Sequence, residues 1–473
     1  MPKKHLAIIG HGMAGSRLLD ELLTRHATNR YTITIYGEEP GHAYNRILLS
    51  KVLAGGEVDS IRLRADGWHG GDEVKVVPNL RVDKLDTAHR TLHLSDGQNV
   101  PYDVAILATG STPFIPPING TKLDDGKPKP GVFAYRTLDD VLQMRSKSRP
   151  GDAAVVLGGG LLGLEAAKAL VDIGLHVTVV HLAPVLMDTQ LDEHGGRMLQ
   201  RLIEQTGIFV RCGRTISEVV GEHQVRGVKL DDGTFLAADM VVMACGIRPR
   251  VDVAKASNIP VNRAVLVNDT LATHVPGVYA VGECAEHRGQ IYGIVTPIWE
   301  QCSTLADVLC GNGKNARYKG SKLYTRLKVA GIEVASMGLT KPQLATDRTV
   351  QVIEDENHVY RKLIIREGKL VGAHMVGDTA AAGRLIQIFD RGDPMPANPL
   401  EALCAFSAGG GCGPASRQVC NCNNVSEADI VAAIEAGDNT VEAVGRTTRA
   451  GTGCGSCKSQ IVSLINRCTP AAV

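Results

Sequence analysis

Four cysteines late in the sequence fall into two local pairs, Cys420-x-Cys422 and Cys454-x-x-Cys457, with 31 residues between the pairs. Four thiolates grouped in this way can hold tetrahedral zinc or a 2Fe-2S cluster. A Cys-x-Cys pair is the less usual arrangement for a zinc ribbon. Arg446, Arg449 and Lys458 lie around the second pair, where cations would offset thiolate charge, serve as a docking surface or simply be solvated. Two other stretches carry a different chemistry. Gly10-x-Gly12-x-x-Gly15 and Gly158-x-Gly160-x-x-Gly163 each follow an apolar run of strand length and precede a helix-like segment. In such a fingerprint the first glycine turns the chain and the second lets the backbone approach a pyrophosphate. The third lets helix and strand pack closely, which puts the pyrophosphate on the helix N-terminus.

The elements that must position these groups also repeat. "DVAILATGSTP" at 103–113 and "DMVVMACGIRP" at 239–249 each read as a buried strand ending in a small-small-Gly turn, Ala108-Thr109-Gly110 and Ala244-Cys245-Gly246. Strand, turn and helix occurring twice predict an α/β protein with two Rossmann-like units. With 473 residues the chain can form several domains and needs no disulfide staples. Lys plus Arg (51) balances Asp plus Glu (50) with no long run of either sign, which argues against a nucleic acid or membrane-surface partner. No span approaches the roughly 20 apolar residues of a membrane helix. A cytoplasmic location is the expectation, and in that reducing compartment clustered cysteines serve as metal or redox ligands.

With these motifs, residues 5–315 resemble the two-dinucleotide-binding-domain flavoproteins, the family of rubredoxin and ferredoxin reductases. The resemblance implies FAD at the first fingerprint and NAD(P)H at the second. It makes "GVYAVGECAEH", 277–287, the second FAD motif, with Gly282 and with Glu283 where the family usually carries Asp. Glu38, with Glu39 next to it, is the acid expected to accept the adenosine ribose hydroxyls. Arg46 and Lys51 fall in a segment that the resemblance places beside the isoalloxazine. Glu165, expected in the first turn of the second nucleotide helix, would lie between flavin and nicotinamide, paired with Lys51. His181 stands at the second ribose-reading position in place of an acid, which leaves the choice of NADH or NADPH open. The expected domains are FAD, 1–115 and 249–318; NAD(P)H, 116–248; an α+β interface domain of hairpin strands, 319–395; a linker, 396–414; and a small helical domain, 415–468. In the last, Ser426 caps one helix and a second follows.

No cysteine precedes Cys212, so thiol chemistry at the flavin is not expected. Cys404 and Cys412 fall outside the four-cysteine pattern, and the remaining cysteines read as ordinary thiols. The spacing together with "GTGCGSCK" resembles the 2Fe-2S domain of bacterioferritin-associated ferredoxins. The domain order resembles the N-terminal part of NAD(P)H nitrite reductase large subunits and the electron-transfer subunits of assimilatory nitrate reductases. That nitrite enzyme continues into a sirohaem region, whereas this sequence ends at Val473. The expectation is therefore an electron-transfer component serving a separate catalytic nitrate or nitrite reductase. A nitrite reductase component lacking sirohaem, a free-standing NAD(P)H oxidase or ferredoxin-type reductase, and a cluster-based redox or iron sensor are the alternatives.

Overall fold

Each glycine fingerprint sits at the centre of its own parallel sheet. The computed structural model describes residues 2–64, 71–311, 316–403, 418–420, 425–448, 450–451 and 457–468. The first unit runs β1 (Lys4–Ile9), α1 (Met13–Thr24), β2 (Tyr31–Tyr36), α2 (Leu49–Leu53), β3 (Val74–Val77) and β4 (Val104–Leu107). Its sheet is ordered Val278–Ala280, β4, β1, β2, β3, all parallel. One edge strand thus comes from more than 160 residues further along, as a discontinuous domain requires.

The second unit repeats the plan with β5 (Val132–Ala134), β6 (Ala153–Leu157), α3 (Leu161–Asp172), β7 (His176–His181), α4 (Glu193–Glu204), β8 (Ile208–Cys212) and β9 (Met240–Met243). Its order is β8, β7, β6, β9, β5, again parallel. The central strands are buried on both faces, which is why they read as continuous runs such as VAIL and MVVM.

An antiparallel sheet follows: β10 (Tyr324–Val329), β11 (Ile332–Gly338), β12 (Arg348–Glu354), β13 (Val359–Arg366) and β14 (Lys369–Val376), ordered β10, β11, β14, β13, β12 and backed by α5 (Ala382–Arg391). This domain docks on the second unit. Val334, Tyr360 and Val376 share the core beneath α4. Asp192, the N-cap of α4, accepts from Tyr360 Oη at 2.7 Å and from Lys362 Nζ at 2.6 Å.

Packing crosses two of the expected divisions. Tyr44, Leu49, Val52, Leu53 and Ile61, expected in the FAD domain, bury their side chains in the core of the second unit. Residues 400–403, expected to be linker, form a short helix whose Ala402 and Leu403 pack into the antiparallel domain.

The small domain has α6 (Glu427–Glu435), α7 (Val441–Thr448) and α8 (Lys458–Cys468). Ser426 and Asp429 form the reciprocal cap of α6 expected from the sequence; α8 is a third helix that was not expected. Cys420 and Cys457 lie together in its apolar core with Ile430, Val444, Ile461 and Leu464. Cys422, Cys454, Cys404, Cys412 and Arg449 lie outside the described residues. Among the described residues no helix is long and apolar enough to cross a membrane.

Candidate functional site

One cavity of about 2360 Å³ runs between the two parallel-sheet units and collects most of the residues singled out by sequence. Its wall includes Gly10, Gly12, Glu38, Arg46, Lys51, Ala108, Thr109, Gly110 and Glu283 from the first unit, and Gly158, Gly160, Glu165, His181 and Gly246 from the second. The two small-small-Gly turns meet here, because the strands leaving them, Ser111–Pro113 and Ile247–Pro249, pair antiparallel and tie the units together.

Both fingerprints show the division of labour that dinucleotide binding needs. Gly10 (φ +118°) and Gly158 (φ +124°) are turned where a Cβ would overlap the carbonyls of Ala108 and Ala244. At Gly15 and Gly163 a Cβ would overlap the carbonyl of the turn glycine itself, so these two set helix-strand packing and do not line the cavity. A Cβ on Gly12 or Gly160 would meet no protein atom within 4 Å. That open cradle lies at the N-terminus of α1 or α3, where no side chain caps the helix and no acid stands in the first turn. By contrast, α4 and α6 are capped by Asp192 and Ser426. Uncapped N–H groups beside an open cradle suit a pyrophosphate. The Nε2 atom of His11, inside the first fingerprint, is buried without a hydrogen-bond partner. Burial, then Arg64 and His42, push its pKa down to about 4, so the ring is neutral and offers a free nitrogen to a ligand.

The acids after β2 divide their work. Glu39 accepts from Tyr44 Oη and Arg46 Nη2, each at 2.6 Å, and although burial works against it, those partners hold its carboxyl below the usual range. Arg46 is thereby neutralised locally, and it also donates to the Arg136 carbonyl at 2.5 Å. Glu38 remains at the cavity wall, partly exposed and ion-paired with Arg250. Arg250 donates its backbone N–H to Gly110 O at 2.9 Å, and its own carbonyl accepts from Thr109 Oγ1 at 2.7 Å. Glu283 is held by Arg136 and by Ser111 Oγ at 2.6 Å. Gly282 sits behind it, its N–H donating to Gln301 at 2.8 Å. Arg136 had no signal in the sequence, because it comes from a segment without a fingerprint.

Glu165 is the fifth residue of α3, not a first-turn residue, and its expected ion pair with Lys51 is absent. Among the described residues Lys51 pairs with no acid and is exposed at the cavity wall. Burial alone pushes the Glu165 carboxyl up to about 7. Near neutrality it is about half protonated, so it needs no counter-cation.

At the second strand end the register changes the reading of His181. Gly10 N donates to Tyr36 O, and Gly158 N to Val180 O, which aligns His181 with Gly37 and Leu182 with Glu38. A histidine and a glycine have traded places: His11 packs over Gly37 in one unit, and His181 over Gly159 in the other.

In the small domain, Cys420 (0% exposed) and Cys457 (3%) bring two of the four expected sulfurs into one apolar pocket. The Gly451 N–H donates to Cys457 Sγ at 3.1 Å, a contact that stabilises thiolate over thiol. Two buried sulfurs with a backbone donor fit half of a four-thiolate set, whose other two members, Cys422 and Cys454, lie outside the described residues. Gln460 of α8, three residues beyond Cys457, lines the large cavity between the parallel-sheet units.

Two glycine cradles facing one cavity define a dinucleotide-dependent flavoprotein, and the small domain with its buried thiols adds a second redox-capable unit. Residues 4–303 match the pyridine nucleotide-disulphide oxidoreductases, 324–392 the rubredoxin NAD+ reductase C-terminal domain and 418–467 the BFD-like 2Fe-2S binding domain. The chain belongs to the pyridine nucleotide-disulphide oxidoreductase family, whose cofactors are FAD and NAD(P)H, and its C-terminal domain is of the 2Fe-2S type. It is 40% identical to the NAD(P)H nitrite reductase of Bacillus subtilis over 98% of this chain and 58% of that protein. It is 34% identical to the assimilatory nitrate reductase electron transfer subunit of Bacillus subtilis, over 99% of this chain and 60% of that protein. Among solved structures, a ferredoxin reductase from Rhodopseudomonas palustris superposes with a TM-score of 0.74 at 26% identity, covering 85% of this chain and 98% of that one. The chain thus spans about 58–60% of the length of the two curated relatives.

Proposed function

We propose that this chain is the electron-transfer component of an assimilatory nitrate or nitrite reductase system. It draws on NAD(P)H at the second fingerprint and feeds a catalytic reductase through the C-terminal cluster. The observation that carries this is the similarity, along 98–99% of this chain, to a nitrite reductase and to a nitrate reductase electron transfer subunit, supported by Gln460, a side chain of the helix after Cys457, on the wall of the large cavity. NAD(P)H surrenders a hydride, two electrons with one proton, and FAD together with the cluster supplies the conversion to single electrons.

The residues divide accordingly. Gly12 and Gly160 admit the two pyrophosphates, and Glu38 accepts the ribose hydroxyls of FAD. Glu283 and its anchor Arg136 face the flavin's polar chain. Lys51 supplies positive charge near the ring system, and Glu165 holds or releases a proton where flavin and nicotinamide meet. Cys420, Cys422, Cys454 and Cys457 hold the cluster. The domain division follows the same roles, with 44–61 packed on the nicotinamide unit and 400–403 on the antiparallel domain.

The test is Cys457→Ser. NAD(P)H should still bleach the flavin, and a small dye should still be reduced. Electron delivery to the cognate reductase should fall to background. Wild-type delivery by this variant would remove the cluster from the route. Rapid oxygen consumption by wild type without any partner would favour an oxidase.

A further inference from the structure

The second nucleotide unit holds an acid that its strand-end position lacks. His181 closes β7, and its Nδ1 lies 3.1 Å from the Gly159 backbone nitrogen, which donates to it. With Nδ1 committed as an acceptor, the ring hydrogen sits on Nε2, which donates to Asp188 Oδ1 at 3.1 Å. The imidazole therefore pins a carboxylate beside the strand end, seven residues further along the chain. Asp188 and His181 both line the cavity with Gly158 and Gly160. Among the described residues His181 is the partner of Asp188, and no lysine or arginine pairs with it. The stretch 181–190 contains neither lysine nor arginine. Arg214, whose backbone N–H meets the His181 carbonyl at 3.0 Å, sends its guanidinium to Asp232 at 2.7 Å.

We propose that Asp188, positioned by His181, reads the adenosine 2′-hydroxyl and makes this a site for NADH over NADPH. The proposal rests on the second fingerprint being the nicotinamide dinucleotide site. A carboxylate there accepts hydrogen bonds from ribose hydroxyls. A 2′-phosphate brings its own negative charge against that carboxylate, and 181–190 supplies no lysine or arginine to receive it.

The measurement is equilibrium binding of two redox-inactive probes, ADP-ribose and 2′-phospho-ADP-ribose, to the FAD-loaded protein. Wild type should bind ADP-ribose at least about tenfold tighter. Asp188→Asn should bring the ratio close to one, chiefly by tighter binding of the phosphorylated probe, while Asp188→Glu should keep the preference. FAD content and circular dichroism confirm that each variant is folded, and Asp188→Ser serves if the Asn variant is not. Equal binding of the two probes by wild type, or an unchanged ratio in both Asp188→Asn and Asp188→Ser, overturns the proposal alone. Failure of wild type to bind either probe removes the assignment of the nicotinamide site, and this proposal with it.

Discussion

At the scale of single residues, the cavity is governed by how each charge is compensated. Glu39 and Arg46 satisfy each other, Glu283 is held by Arg136, and Glu38 by Arg250. Glu165 has only burial acting on it, and its carboxyl is raised from 4.5 to about 7. A folded-state pKa above the unfolded one means that the native state holds the extra proton between those values. Its contribution is therefore full below about pH 4.5 and is lost as pH rises through 7. Glu165→Gln should remove that dependence. Denaturation of wild type and variant, both free of bound nucleotides, at pH 5 and pH 7.5 should show the variant gaining up to about 3 kcal/mol relative to wild type at the higher pH. Parallel stabilities at the two pH values would mean that Glu165 does not titrate in this window.

At the scale of elements, the fingerprint glycines differ in what they protect. Gly12 and Gly160 have negative φ and an open Cβ direction, so alanine fits the empty protein at either position. Gly12→Ala should leave unfolding within about 1 kcal/mol of wild type, yet weaken FAD retention. Gly160→Ala should retain FAD and weaken dinucleotide binding. Gly15→Ala should instead destabilise the domain by 2 kcal/mol or more, roughly, because its methyl has nowhere to go. Calorimetry and FAD content of the three proteins separate the roles. A second element-level device is the buried contact between Lys362 on β13 and the Asp192 cap of α4. Lys362→Met should cost about 3–5 kcal/mol by leaving a buried carboxylate without its cation. Adding Asp192→Asn should recover much of that, since asparagine still caps the helix. A double variant no more stable than the single one would show that the cap, not the charge, dominates.

Across the whole molecule, the proposed route takes electrons from a cavity between two sheets to a small helical domain. With Cys420 and Cys457 in one apolar core, protein prepared without oxygen should carry about two irons and two sulfides per chain, with negligible zinc. Cys457→Ser should lose them while keeping FAD. Stoichiometric zinc without sulfide would replace the cluster with a structural metal. Such a small domain has little apolar core of its own, so metal loss should also lower its melting transition more than that of the larger domains.

Most of the architecture was legible in the sequence because it rests on local, periodic requirements. A parallel strand buried on both faces must be an apolar run, and a pyrophosphate cradle must be glycine at fixed offsets. Two such units, an antiparallel domain and paired cysteines could all be read from linear spacing. What depended on distant partners could not. Segment 44–61 was expected on the first unit, yet its Tyr44, Leu49, Val52, Leu53 and Ile61 side chains pack into the core of the second. Arg136 reaches Glu283 across 147 positions, Arg250 reaches Glu38 across 212, and Lys51 does not pair with Glu165. His181 looked like a missing acid until its ring was seen to hold Asp188. Spacing along the chain sets which backbone turns and strands form. Which charges meet, and which carboxyl is left unpaired in a dry wall, is decided only when separate segments are packed against each other.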